Sequence, residues 1–256
     1  MLSETLADDP ALYTFLSELL KEPLIYDHGL PLPEEKGIMA GTPLACFYAN
    51  LFLADLDRYF EERSVPYARY SDDIIVFGKT EEELNGYVNH IRACLSEKHL
   101  KMNPEKEVFT RPGEKWTFLG FSWQEGKLDI APASLEKLKG KMRRKREALR
   151  RWQIKKGLSG EKAAKGFVKA YNRKLFETAG DNDLTWTRWY FPVINTTESL
   201  KALDLYAQDC LRYLISGKHT KARFNVRYAD LKALGYRSLV HEYYEQREEK
   251  TRETPE

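Results

Sequence analysis

The sequence predicts an α+β fold in two parts, a mixed segment over residues 1–130 and a helical one over 131–246, closed by a disordered tail at 247–256. Three observations carry this. Two short apolar runs, 65–68 and 74–77, flank Tyr70, Ser71, Asp72 and Asp73, which is the pattern of a tight β-hairpin. Residues 131–175 hold sixteen Lys or Arg against three Glu on a helical pattern opened by Pro132 and stopped by Gly157. Beyond them, capping residues, glycine stops and apolar stripes alternate at helical spacing.

Each element follows from local chemistry. Asp8, Asp9 and Pro10 read as a helix start, and Ala11 to Lys21 carries apolar Leu12, Phe15, Leu16, Leu19 and Leu20. A turn-rich stretch through Pro23, Gly29, Pro31 and Pro33 leads to a loop, Gly37 to Gly41, with Thr42 placed to cap the next helix and Pro43 at its first position. After the hairpin, Leu100 to Lys106 reads as a turn entering a strand, and Trp116 to Ser122 as an aromatic strand in which Gly120 marks a bulge or a close backbone approach. The basic helix includes Lys137, Lys139, Lys141, Arg143, Arg144, Lys145, Arg146, Arg150 and Arg151, with Trp152 at its end. Caps are then expected at Ser159 and at Asn195, three residues before Glu198, and stops at Gly180, Gly217 and Gly235. Leu200, Leu203, Ala207, Cys210, Leu211 and Leu214 form a stripe that reads as core rather than interface, and Trp186 to Phe191 an aromatic cluster whose rings either pack between helices or stack on bases.

Asp72 and Asp73 carry the chemistry. An isolated aspartate pair usually does no more than cap a solvated hairpin. Two adjacent anions nevertheless repel each other, nothing in hairpin stability calls for them, and a divalent cation with oxygen ligands would screen them. The basic helix suits a sugar-phosphate backbone, through salt-dependent contacts that read geometry rather than base sequence. Cys46, Cys94 and Cys210 are odd in number and lack metal spacing, so they read as reduced core or surface residues. No run approaches the roughly 18 apolar residues of a membrane helix, a signal peptide is not expected at the start, and the expected location is the cytoplasm, with no membrane partner.

The run from Tyr67 to Phe77, with Tyr70, Asp72 and Asp73 at its centre, resembles the central motif of bacterial reverse transcriptases, the RNA-directed DNA polymerases, in retron and group II intron-like form. Three further motifs stand in the order that family uses: Gly37 to Leu44 followed by Ala49, Asn50, Leu51, Leu53, Leu56 and Asp57; Leu100 to Lys106; and Trp116 to Ser122. Met39 and Ala40 depart from the usual proline and glutamine of that loop. The resemblance covers Gly37 to Trp123 closely and extends loosely to about Tyr244. It implies that the α+β fold is a partial right-hand polymerase palm, an antiparallel sheet with helices, over 1–130, followed by an all-helical thumb over 131–246.

It also implies site roles. Asp72 and Asp73 are the catalytic, Mg2+-binding pair; Gly41, Thr42, Pro43, Tyr70 and Lys106 contact the substrate; Phe118, Leu119 and Gly120 form a primer grip; and Lys141, Arg143, Arg144, Arg150 and Arg151 bind nucleic acid. The implied partners are an RNA template, the RNA/DNA hybrid and deoxynucleoside triphosphates. Family members carry fingers and a third metal-binding aspartate before the glycine loop. Only 36 residues precede Gly37, so the palm is expected to be N-terminally truncated with fingers absent, and Asp8 and Asp9 are poor substitutes. The expected function is nucleotidyl transfer onto a primer 3′ hydroxyl, weak or absent in the isolated chain unless a fingers-bearing partner chain completes it. The alternative is a non-catalytic module that binds RNA or RNA/DNA hybrid. Retrons, group II intron proteins, diversity-generating and defence-associated enzymes share these signatures, which leaves antiviral defence open as a role.

Overall fold

The computed structural model describes residues 2–21, 24–27, 30–33, 44–177 and 184–253, with the side chains of 24–33, 250, 251 and 253 excepted. The fold is α+β, mostly helical with small antiparallel sheets. It divides into two compact units, Met1–Val108 and Phe109–Glu256. This division follows packing density, so the strands after residue 109 group with the helices, whereas the expected boundary at residue 130 follows function.

The first unit begins with α1 (Leu2–Thr5) and α2 (Pro10–Lys21). The Asp9 carboxylate accepts from the Leu12 N–H at 2.9 Å and Pro10 opens α2, as the sequence signature requires. Only Leu16 of its apolar face is buried. Strands β1 (Leu24–Asp27) and β2 (Leu30–Pro33) pair as a hairpin. Helices α3 (Ala45–Phe52) and α4 (Ala54–Glu62) follow, then β3 (Tyr67–Tyr70), β4 (Asp73–Val76) and α5 (Glu81–Glu97). Thr80 caps α5, accepting from Glu83 N–H at 3.2 Å, and three glutamates in its first turn complement the helix dipole. Leu53, Leu56, Phe60, Ile91, Cys94 and Leu95 form the core, with Tyr67, Ile74 and Val76 of the hairpin laid against it. Phe60 is fully buried and stacks on Tyr67 at 4.3 Å, so α4 holds the hairpin through ring contact.

In the second unit β5 (Trp116–Phe118), β6 (Phe121–Gln124) and β7 (Lys127–Ile130) form a meander in that order. Both turns have two left-handed residues, Leu119 and Gly120 at φ 49° and 86°, Glu125 and Gly126 at 49° and 80°. That is the primed turn that matches strand twist. The bulge expected at Gly120 is therefore a hairpin turn, and the close approach is real: a Cβ there would lie 2.9 Å from the Tyr190 hydroxyl.

Helices α6 (Pro132–Lys156), α7 (Gly160–Leu175), α8 (Trp186–Tyr190), α9 (Glu198–Ser216), α10 (Tyr228–Ala233) and α11 (Leu239–Glu253) complete the unit. Gly157 and Gly217 end α6 and α9 in the left-handed conformation, and the Ser159 hydroxyl caps α7 by accepting from Lys162 N–H at 3.2 Å. Gly160 begins α7 hard against the Ile215 carbonyl of α9, leaving no room for a Cβ. The α9 stripe expected to be core is buried throughout, and Tyr190 and Phe191 of the aromatic cluster are buried with it. Asn195 does not cap α9. It accepts from Leu128 N–H and donates to the Gly126 carbonyl, both at 2.8 Å, clasping the β6–β7 turn. The cap on α9 comes instead from Asp129 on β7, whose Oδ2 accepts from Ser199 N–H at 3.2 Å. Helix α11 runs on to Glu253, past residue 247 where a disordered tail is expected. Among the described residues no helix is long and apolar enough to cross a membrane.

The three cysteines are free thiols. Cys46 is exposed, Cys94 and Cys210 are buried, and burial pushes the Cys210 thiol up to about 12 from an ordinary 9.0. At pH 8 a thiolate reagent is expected to label Cys46 alone in the folded chain and all three in denaturant, with labelling stoichiometry by intact mass as the check. A raised folded value also means that the stability the buried Cys210 thiol contributes is full below about 9 and is lost as pH rises toward 12.

Candidate functional site

Ser71 and Asp72 form the two-residue turn between β3 and β4, and Tyr70 pairs with Asp73 across its base. Ser71 takes φ 57°, as the first position of a primed turn demands. Asp72 at the tip and Asp73 at the head of β4 are both exposed. No hydrogen bond or ion pair to a described residue ties either carboxylate. Tyr70, 62% exposed, projects beside them. Among the described residues the carboxylate pair thus stands without a partner, on a hairpin backed by Phe60 through Tyr67.

The same hairpin carries a covered cation. Arg69 has a side chain only 4% exposed and forks onto the Asp57 carboxylate of α4, Nε to Oδ1 at 2.8 Å and Nη2 to Oδ2. Tyr67 donates its hydroxyl to the same Oδ1 at 2.8 Å. Burial, then the Asp57 hydrogen bond, drives the Tyr67 phenol well above its ordinary range, so it stays a donor. No motif spacing points to Arg69, because its partners lie 12 and 19 residues away on two helices.

Carboxylate oxygen is the donor type that a magnesium ion takes. Mg2+ takes hard oxygen ligands and commonly uses one or two protein carboxylates, with waters and substrate phosphates filling the octahedron. Among the described residues no group of three or more His, Cys, Asp or Glu could hold a metal, so the pair stands without a third side-chain ligand there.

The other expected site residues fall in several places. Gly41, Thr42 and Pro43 lie outside the described residues, as do Gly37 and Gly180. Lys106 ends an exposed 3-10 turn, Pro104–Lys106, started by the Asn103 side chain, and its ammonium has no partner among the described residues. Phe118, Leu119 and Gly120 sit at the β5–β6 turn, half-buried. Lys141, Arg143, Arg144 and Arg151 are exposed along α6. Arg150 is half-buried, donating to Gln153 Oε1 at 2.9 Å with its guanidinium 5.8 Å from the Tyr213 ring, which makes it partly a packing residue. Like charge concentrates where α6 meets α7: Lys174 beside Lys141, with Lys137 and Arg144 close by, holds the Lys141 ammonium below the ordinary lysine range. Like charge clustered in this way raises the local positive potential, which attracts polyanions in general.

The first unit thus presents two carboxylates on a hairpin turn, and the second bears a basic helix. Residues 11–123 match the model of the family described as reverse transcriptase (RNA-dependent DNA polymerase), a stretch that contains α3, α4, the Asp72–Asp73 hairpin and β5. That match supports the reverse transcriptase superfamily and, at the family level, reverse transcriptase-type nucleotidyl transfer. Enzymes of this family typically use divalent metals and act on an RNA template and nucleotides. No curated protein matches the chain.

Proposed function

We propose that this chain is the palm and thumb portion, residues 1–130 and 131–246, of a bacterial retron- or group II intron-like reverse transcriptase, transferring deoxynucleotides to a primer 3′ hydroxyl. The observation that carries this reading is the carboxylate pair on the β3–β4 turn, without a partner among the described residues and inside the segment that matches the family. Asp72 and Asp73 would hold magnesium, which when bound lowers the cost of ionising the primer hydroxyl and of charge on the triphosphate. Tyr70 lies beside that centre, Lys106 meets a phosphate, the Phe118–Gly120 turn supports the primer end, and α6 grips the hybrid backbone through Lys141, Arg143, Arg144 and Arg151. Two carboxylates on one turn hold one ion, and fixing a second takes another oxygen ligand. The described residues hold no third such ligand, and where a fingers-bearing partner chain supplies it the activity of the chain alone is weak or absent.

A second reading, a non-catalytic module that binds RNA or hybrid, is favoured by the lack of a third acidic ligand among the described residues. Primer extension on an RNA template with Mg2+ and a fingers fragment from a relative separates the two. Extension is expected, and Asp72→Asn should lower it by at least about a hundredfold while leaving hybrid affinity unchanged. Extension that survives Asp72→Asn would sink the catalytic reading. Intact hybrid binding with no extension would favour the second. In either case Lys141→Gln and Arg144→Gln should each flatten the log-affinity against log-salt slope by about one.

A further inference from the structure

The Arg69 fork onto Asp57 has more geometry than a surface ion pair needs. The Asp57 side chain is 38% exposed, and an ion pair open to water is worth little by itself. Arg69 itself is nearly covered, and an arginine is rarely that covered without a specific partner. The distinguishing contact is made by the nitrogen the fork leaves over. Arg69 Nη1 faces the Asn50 Oδ1 of α3 at 3.1 Å and the Ser71 carbonyl at 3.2 Å.

That carbonyl belongs to the peptide joining Ser71 to Asp72. Its plane fixes how the chain leaves the left-handed Ser71 and therefore where Asp72 starts. A residue without glycine's freedom at positive φ stays there only when its surroundings over-determine it. Arg69 supplies that determination, with one end of its guanidinium anchored on α4 and the other shared between α3 and the turn. The Tyr67 hydroxyl, donating to Asp57 Oδ1, stiffens the anchor from the same strand.

We infer that Arg69 is a positioning residue, clamped by Asp57 and Asn50, that holds the Ser71–Asp72 peptide in one orientation and so fixes the direction in which Asp72 and Asp73 present their carboxylates. The link from the clamp to metal rests on the metal-binding reading given above; the clamp on the turn does not. Lysine cannot replace it, because a single ammonium reaches one partner at a time whereas the planar fork engages Asp57 in bidentate fashion and still has a donor for the turn.

Arg69→Lys keeps the charge and is the informative variant, with Asp57→Asn as its counterpart from the other side of the fork. Amide exchange of Ser71, Asp72 and Asp73 by NMR reads the turn directly, thermal unfolding reads the fold, and Mn2+ titration by electron paramagnetic resonance reads the carboxylates, with Asp72→Asn as control. Arg69→Lys is expected to unfold within a few degrees of the parent, to speed turn exchange and to weaken Mn2+ binding by about tenfold, the usual scale for losing a group that orients a ligand. Asp57→Asn should do the same, and the double variant should add little, because both break one device. Turn exchange unchanged in Arg69→Lys would overturn the clamp. So would Mn2+ affinity that is lost in Asp72→Asn but unaltered in Arg69→Lys. If Mn2+ binding ignores Asp72→Asn, the metal reading fails, and turn exchange alone decides the clamp.

Discussion

Asp204→Ala is expected to destabilise the helical unit by about 3–4 kcal/mol, a drop of roughly 10 °C in its unfolding transition. Asp204 is buried in α9, and its two oxygens take four close donors from the far end of the unit. Oδ1 accepts from the Tyr236 hydroxyl at 2.7 Å and Leu239 N–H at 2.9 Å; Oδ2 accepts from the Ser238 hydroxyl at 2.6 Å and Val240 N–H at 3.1 Å. The two N–H groups belong to the first turn of α11, which has no partner for them within the helix. Alanine leaves those donors and a buried phenol unsatisfied, and it removes a negative charge from the positive end of a helix dipole. Asp204→Asn should cost less, about 1–2 kcal/mol, because one oxygen survives while its amide N–H2 meets the donors of Ser238 or Val240 head-on. Differential scanning calorimetry of the three proteins checks the order, and an Asp204→Ala transition within 2 °C of the parent would contradict it.

Phe60→Ala should be the most damaging change in the first unit, costing about 3–5 kcal/mol. Among the described residues the core cluster there is small, six buried residues, and Phe60 is its largest fully buried member. Its ring stacks on Tyr67 and meets Tyr59 and Tyr87 edge-on at 5.1 and 5.6 Å. The loss extends beyond a cavity, because Tyr67 is the strand residue that both rests on Phe60 and donates to Asp57. Phe60→Leu, which keeps most of the volume but not the stacking, should fall between parent and alanine. Chemical denaturation followed by tyrosine fluorescence gives the comparison, and equal midpoints for Phe60→Ala and the parent would refute the assignment of Phe60 as keystone.

Which of these features the sequence discloses depends on whether their cause is local. Pro132 and Gly157 bound α6 to the residue, because a ring that fixes φ and a residue that tolerates the left-handed region act on their own backbone. The α9 stripe and the Ser71–Asp72 turn are legible for the same reason, one as periodicity and the other as turn chemistry. Asn195 looks like a cap, since the amide has the right spacing to Glu198, but Gly126 and Leu128 compete for it with better geometry across nearly 70 residues of chain. Asp204 and Arg69 are silent in the sequence. Each is a charged residue on an otherwise ordinary element, and only tertiary folding supplies the donors or acceptors that give it a role. For the candidate site this means that Asp72 and Asp73 can be read from the chain, while the residue that aims them cannot.

The contact at the start of α7 has a consequence for how this sequence can vary. Gly160 and the Ile215 carbonyl meet backbone to backbone, so position 160 is closed to every side chain, whereas Gly86 on α5 has open space around its Cα and would accept alanine. Drift at residue 86 should be silent and drift at 160 should be purged, although both are helical glycines of identical chemistry. A variant library would sort them by survival alone.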